Sequence, residues 1–262
     1  MVRGLYTAAS GALVAQSQAD VIANNLANVN TSGFKRTLLQ VQSGPQMALY
    51  RQQTVPSENP RGTSSNAFVG TLGMGAQVMD TPAVFEQGTL AQTGNPLDLA
   101  IQGNAFFAIR TPQGLRYTRD GQFAEDPTGR LVTMDGNLVL GTNGPIQLQQ
   151  NAGAVQIDQN GQITQGGRLI DTVALVQFGN LTQVRPEGDN RFIASNAALP
   201  ARAAAGSSSI HQGFLEKSNA NVVREMVGLI TAQRWFEANQ KVIQTQDQAN
   251  GWAIETVANS QK

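Results

Sequence analysis

Five carboxylates, Asp98, Asp120, Glu125, Asp126 and Asp135, fall within a short central stretch of the chain. A pair of carboxylates at the right separation could cut a glycosidic bond. All five lie in or near predicted strand ends and turns, where Asp is favoured because its side chain bonds the local backbone. Turn formation accounts for them without catalysis. His211 is the only histidine, so a multi-histidine metal site is excluded, and it falls in a segment that reads as a linker. No serine occupies a nucleophile elbow, and Gly73-Met74-Gly75 lacks the rest of a dinucleotide fingerprint. Asp158, Asn160 and Gly161 begin like a calcium loop but lack its remaining ligands and terminal Glu, so a hairpin turn is the better account. The absence of cysteine rules out disulfides and thiolate metal sites. These residues predict no catalytic, cofactor-binding or metal site, and the chain does not read as an enzyme.

The elements that carry those carboxylates are short. From about Gly70 to Ser195 the sequence alternates β-like runs with Gly-containing turns. Strands are predicted over Leu97–Ile101, Ala105–Arg110, Leu115–Thr118, Arg130–Thr133, Leu138–Leu140, Val155–Asp158, Gln162–Gln165, Val173–Phe178 and Arg191–Ala194. Asp120-Gly121, Asp135-Gly136 and Asn160-Gly161 suit tight hairpins, because such pairs tolerate positive φ. This spacing indicates an antiparallel β domain, a sandwich or an open barrel.

Both ends read instead as helix. Leu5, Ala8, Ala12, Ala15, Ala19, Ile22, Leu26 and Val29 recur at alternating steps of three and four, an apolar heptad seam filled mostly by small residues. Ser218, Asn219 or Asn221 could cap a second helix running to about Val257. On it Val222, Met226, Leu229, Phe236 and Ile243 form one stripe, with Gln233 and Gln240 interleaved. Val223, Val227, Ile230, Trp235 and Val242 widen the apolar face. Neither helix can satisfy that face alone, since long isolated helices are marginal in water. Both seams are therefore expected to pair with each other, with the β domain or with neighbouring subunits. Trp235, Phe236 and Trp252 could also form a carbohydrate or membrane platform, but inside this pattern they read as packing residues.

The resulting fold class is α+β, divided into an N-terminal helix and the turn after it (1–36), an extended insertion or connector (37–69), a β domain (70–196), a return linker (197–220) and a C-terminal helix (221–262). Within the insertion, the Gln-, Pro- and Ser-rich stretch at 51–65 reads as an extended connector or loop. Lys plus Arg equals Asp plus Glu, and charged residues are only 14% of the 262. That balance argues against a nucleic-acid partner and against a polybasic hold on a membrane surface. No basic n-region precedes a continuous apolar run, and no stretch approaches about 20 apolar residues, so neither a cleaved Sec signal nor membrane insertion is expected.

Three segments carry a family resemblance. Residues 23–36, ANNLANVNTSGFKR, resemble the signature that bacterial flagellar rod and hook proteins carry after their first helix. TGNPLDLAIQGNAFFAI at 93–109 and YTRDGQF at 117–123 are similar to the β-domain motif of that family. GFLEKSNANVVREMVGLITAQRWFEANQKVIQTQDQ at 213–248 resembles its C-terminal helix. Length and a single β domain favour a basal-body rod protein over the longer hook protein. RGLYTAASGAL at 3–13 and LVLGTNGPIQL at 138–148 lean toward a proximal rod subunit, whereas the insertion up to Ser65 suits a distal one. Both remain open.

The resemblance implies paired, coiled-coil-like terminal helices forming an axial layer, with the β domain outside it. It implies export in an unfolded state by the flagellar type III apparatus and polymerisation into a helical tube of like subunits in the basal body, in the periplasm or cell envelope. Other rod and hook proteins, the rings around the rod and the export apparatus would be its partners. On this basis both seams are expected at subunit interfaces. Asn24, Asn25, Asn28 and Asn30, with Gly33 and Phe34, form the signature. The amides would bond across subunits or simply end the helix. The alternative reading is a non-flagellar, adhesin-like β module with helical ends.

Overall fold

The computed structural model describes residues 2–52, 66–149, 152–195, 200–203 and 207–259. It is an α+β chain with a helix near each end, and every strand pair among the described residues is antiparallel. Helix α1 is Val2–Ala27 and helix α2 is Val222–Asn259. The chain divides into two compact units, one drawn from Met1–Ile22, Leu39–Thr81 and Met226–Lys262, the other from Ala23–Leu38 and Pro82–Glu225.

In the first unit, Ala8, Ala12, Ala15 and Ile22 of α1 are buried, and Leu5 and Ala19 are half-buried. Facing positions on α2 are Leu229, Ala232, Phe236, Asn239, Ile243 and Gln246, all buried or half-buried at heptad spacing. Gly11 of α1 meets Asn239, Gly4 meets Gln246, and Gly228 meets Ile22, so the two helices touch antiparallel. Small residues on both sides allow the close approach.

The insertion is not merely extended. Strands β1 (Gln40–Ser43), β2 (Gln46–Gln52), β3 (Asn66–Gly73) and β4 (Ala76–Asp80) pair β1 with β4 and β2 with β3. The two ribbons join where Gly44 N–H donates to Gly75 O at 2.7 Å and Met74 N–H to Pro45 O at 3.0 Å. Residues 53–65, most of the stretch read as a loop, lie outside the described residues. The longer pairing was hidden because neither β2 nor β3 alternates strictly between apolar and polar residues, and β3 carries Gly70 in its middle.

The second unit holds β5 (Leu90–Gln92), β6 (Leu99–Gly103), β7 (Ala105–Thr111), β8 (Gly114–Thr118), β9 (Phe123–Glu125), β10 (Leu131–Thr133), β11 (Leu138–Gly141) and β12 (Gly144–Pro145). It continues through β13 (Val155–Ile157), β14 (Gln162–Gln165), β15 (Arg168–Thr172), β16 (Leu175–Phe178), β17 (Val184–Gly188) and β18 (Arg191–Ala194). Strand β7 is central, pairing with β8, β11 and β16. Its run of Ala and Phe is buried on both faces: Phe107 joins Leu99, Ile109, Leu131 and Ile163 in one core. Phe106 joins Tyr117, Phe178 and Phe192 in another. Edge-to-face contacts at 5.4–5.8 Å place Phe106 against Phe85, Phe178 and Phe192, the arrangement aromatic quadrupoles prefer.

Between 197 and 220, read as a return linker, the chain forms β19 (Pro200–Arg202), β20 (Ser208–Gln212) and β21 (Phe214–Glu216). Strand β20 pairs with β6 and β21 with β5. The stretch leading into β20 is low in bulk, but Ile210 is 1% exposed in the main core. His211 accordingly sits on a strand, its Nε2 2.9 Å from Gln102 Oε1.

Candidate functional site

Three segments far apart in sequence converge in the second unit. Helix α1 stops at Ala27, where the Asn28 side chain shares a late carbonyl, Nδ2 donating to Asn24 O at 2.9 Å, and the backbone turns, Thr31 N–H donating to Asn28 O at 3.1 Å. The turn that follows requires Gly33. Its φ is +67°, and a Cβ there would collide with the backbone of Arg119 and Asp120. Gly33 N–H donates to Glu216 O at 2.7 Å, and Asn190 Nδ2 to Ser32 O at 2.9 Å. Asp189 and Asn190, which hold the turn between β17 and β18, both have positive φ.

Beyond the turn, Lys35 points inward. Its Nζ donates to Glu216 Oε1 at 2.6 Å and to Glu86 O at 2.7 Å, and neither side chain of the ion pair is exposed to solvent. Arg119 approaches from the end of β8. It donates from Nη1 to Glu216 Oε2 at 3.4 Å and from Nη2 to Gly103 O at 2.6 Å, with its guanidinium 4.9 Å above the Phe106 ring. Gly88 N–H supplies a further donor to Glu216 Oε1 at 2.8 Å. Two cations thus share one buried carboxylate. Burial pushes the Lys35 ammonium and the Arg119 guanidinium below their ordinary pKa values, with Glu216 opposing the shift in each case.

Two asparagines complete the junction. Asn25, 1% exposed, accepts from Thr37 N–H and donates to Thr37 O, both at 2.9 Å, and reaches Glu225 Oε2 at 3.4 Å. Asn219 accepts from Arg36 N–H at 2.8 Å and donates to Val84 O at 2.8 Å and Glu86 O at 3.0 Å. Asn221 caps α2 by accepting from Arg224 N–H at 3.1 Å.

The signature residues therefore divide. Asn25 and Gly33 are buried at the junction, Asn28 and Phe34 are half-buried, and Asn24 and Asn30 face solvent. Leu26 and Val29 are half-buried. On α2, Leu229, Phe236 and Ile243 lie on the half-buried stripe, whereas Val222 and Met226 are exposed. The amides within that stripe are Asn239 and Gln246, and Gln233 and Gln240 are exposed. Sequence reasoning missed Lys35, Arg119, Glu216 and Glu225, and took Asn219 only as a candidate helix cap. For Lys35, Arg119 and Glu216 a signal was present: charges next to aromatic or apolar residues inside FKR, YTRDG and GFLEK, the same motifs that carry the resemblance.

Sealed from water, Lys35 and Glu216 can fix the chain but cannot reach a substrate. The carboxylates that suggested catalysis are taken up locally: Asp98 accepts from Thr93 Oγ1 at 2.6 Å and Asn95 Nδ2 at 2.9 Å. Asp126 accepts from Thr128 and Arg130, which hold its pKa well below the usual carboxylate range. Asp120 accepts from Gln122 N–H at 3.1 Å and is pushed up to about 6, chiefly by burial and further by Asp135 and Asp98. Among the described residues, no group of three or more His, Cys, Asp or Glu could hold a metal ion, and no helix is long and apolar enough to cross a membrane.

The three converging segments each match a family pattern. Residues 5–35 match the flagella basal body rod protein pattern, and residues 100–165 match the flagellar hook protein FlgE/F/G D1 domain. Residues 211–253 match the flagellar basal body rod FlgEFG protein C-terminal pattern. Lys35, Arg119 and Glu216 contribute one member of the ionic knot from each. Over nearly its full length the chain is similar to named relatives. The flagellar basal-body rod protein FlgG of Caulobacter vibrioides is 37% identical over 94% of this chain and 96% of the relative. FlgF of the same bacterium is 33% identical over 97% and 98%, and FlgG of Bacillus subtilis 34% over 95% and 96%. An adhesin-like module and an enzyme are thereby set aside, and the chain belongs to the flagellar basal-body rod proteins, structural components of the flagellum's basal body.

Proposed function

We propose that this chain is a self-assembling subunit of the rod, joining copies of itself and other rod and hook proteins into a helical tube that turns as a drive shaft inside the surrounding rings. The observation that carries this reading is the apolar surface remaining on α2 after its inner stripe has packed: Val223, Val227, Ile230 and Trp235 are 71%, 60%, 51% and 55% exposed. A continuous exposed apolar face on a helix marks an interaction surface. Non-closing contacts between identical subunits generate a helical filament.

Delivery through the flagellar type III apparatus, with the terminal helices unfolded, fits the same physics. The Ala-rich seam of α1 buries little area per residue, so a lone helix pair offsets its chain entropy poorly. Docking on neighbouring subunits supplies the missing surface and orders the helices as a coiled-coil-like axial layer. The junction around Glu216 then ties residues 23–38 and 213–225, all within the second unit, to the β domain. Val227→Glu with Ile230→Glu keeps helix propensity while adding charge to the outer face. The variant is expected to fold its β domain and to leave basal bodies without a completed rod. In the wild type, amide exchange is expected to be slow in the terminal helices only after assembly. Normal rods from the double variant, or terminal helices fully protected in dilute monomer, would refute the reading.

A further inference from the structure

The two helices meet in a numbered pattern. Gly4 lies against Gln246, Gly11 against Asn239 and Ile22 against Gly228, and each pair of residue numbers adds to 250. The Asn25–Glu225 hydrogen bond of the second unit obeys the same rule. The rule also sets Gln18 opposite Ala232, which is fully buried. Within the first unit, then, this heptad position sets a large polar side chain against a residue with little or no side chain: Gln246 against Gly4, Asn239 against Gly11 and, by the same rule, Gln18 against Ala232.

The Gly11 contact is the stricter one. A Cβ on Gly11 would lie 2.8 Å from Asn239 Oδ1 and 3.1 Å from its Cγ. Asn239 cannot simply swing aside, because its Nδ2 donates to Trp235 O at 2.8 Å. Gln246 over Gly4 is longer and can yield more easily.

We infer that these amide-over-glycine contacts select one register of the helix pair and exclude slips by a whole heptad. The alanines of the seam contribute little to that choice, because Ala8, Ala12, Ala15 and Ala19 repeat too evenly for a seven-residue shift to cost much packing there. A slip in one direction brings Gln18 against Asn239, two amides where there is room for one. A slip in the other sets Gly11 against Ala232, leaving a void, and Gln18 against Glu225. Overfilled or empty positions both destabilise a close-packed contact. Polar residues in a seam are known to fix register in this way, at some cost in stability.

The test reads register through second-site suppression in full-length chains expressed in motile cells. Rods are counted in isolated basal bodies, and the amount of chain exported is measured as a control for expression. Gly11→Asn should lower the rod count by about tenfold or more. Adding Asn239→Ala, which makes room directly opposite, should restore it to within about threefold of Asn239→Ala alone. Adding Gln246→Ala should restore nothing. The converse holds for Gly4→Gln, which should be relieved by Gln246→Ala and not by Asn239→Ala. Because Asn239 and Gln246 are seven residues apart, a slip one way would make Gln246→Ala the suppressor of Gly11→Asn, and a slip the other way would make Asn239→Ala the suppressor of Gly4→Gln. The inference is overturned if Gly11→Asn builds rods at wild-type levels, if both alanine changes rescue it equally, or if neither does. Failure of Val227→Glu/Ile230→Glu to block assembly would count against the mode of subunit joining and leave this register argument intact.

Discussion

Glu216 is the residue on which the junction turns. Its carboxylate is the sole anion facing Lys35 and Arg119 in the network described above, and its main-chain oxygen accepts from the Gly33 turn. Removing one partner of a buried ionic group leaves the others uncompensated, which costs far more than an exposed pair contributes. Glu216→Ala should therefore lower unfolding free energy by about 3–5 kcal/mol in urea titrations, whereas a surface change such as Arg130→Ala, in its solvent-screened pair with Asp126, should move the urea midpoint little. A second residue-level consequence concerns pH. Asp120 is pushed up to about 6 in the folded chain, against 3.8 for an ordinary Asp. The folded state thus binds more protons than the unfolded state between those values, and this group's contribution to stability falls as pH rises through the window. Above pH 6 the ionised carboxylate, facing Asp98 and Asp135, is a net cost. Asp120→Asn should raise stability at pH 7–8 by on the order of 1–3 kcal/mol and flatten the pH dependence between 4 and 6. Thermal unfolding measured across pH 4–8 checks both parts.

At the scale of elements, the helices and the sheet are built on different principles. Strand β7 is stabilised by large aromatic side chains on two faces, so its position is fixed by shape. Helix α1 is fixed by the absence of bulk: Ala15 is 1% exposed, with Ala8 and Ala12 nearly as buried. Enlarging such positions forces the helix axes apart, at about 1–3 kcal/mol per site. Ala12→Trp combined with Ala15→Trp should abolish rod formation, as seen in isolated basal bodies, while the melting transition of the β domain in purified protein moves little. Loss of the β transition as well would mean that the seam supports the whole chain. The periodicity of α1 made its buried face legible, because steps of three and four are a local signal. The α2 face was only half legible: Leu229, Phe236 and Ile243 are on the inner stripe, but so are Asn239 and Gln246, which hydrophobicity alone does not select.

For the whole molecule, the neutral charge and the missing cysteine say little about shape, and the decisive features are of longer range. Nine strands and both helices follow from alternation, turn chemistry and heptad spacing, all of which act within a few residues. The motifs at 23–36, 93–123 and 213–248 were likewise readable, and with them the family. What the linear text does not carry is which distant pieces meet. Lys35 and Glu216 are 181 positions apart, and β20 closes on β6 across more than a hundred. Charges so separated look like solvated surface until the chain folds them out of water, where only mutual pairing offsets the cost of desolvation. Local pattern along the chain sets the kinds of elements and their order. Tertiary structure alone decided the ionic knot, the strands hidden in low-bulk segments and the register of the helices, because each depends on how side-chain volumes and charges complement one another across chain separations that no local period spans.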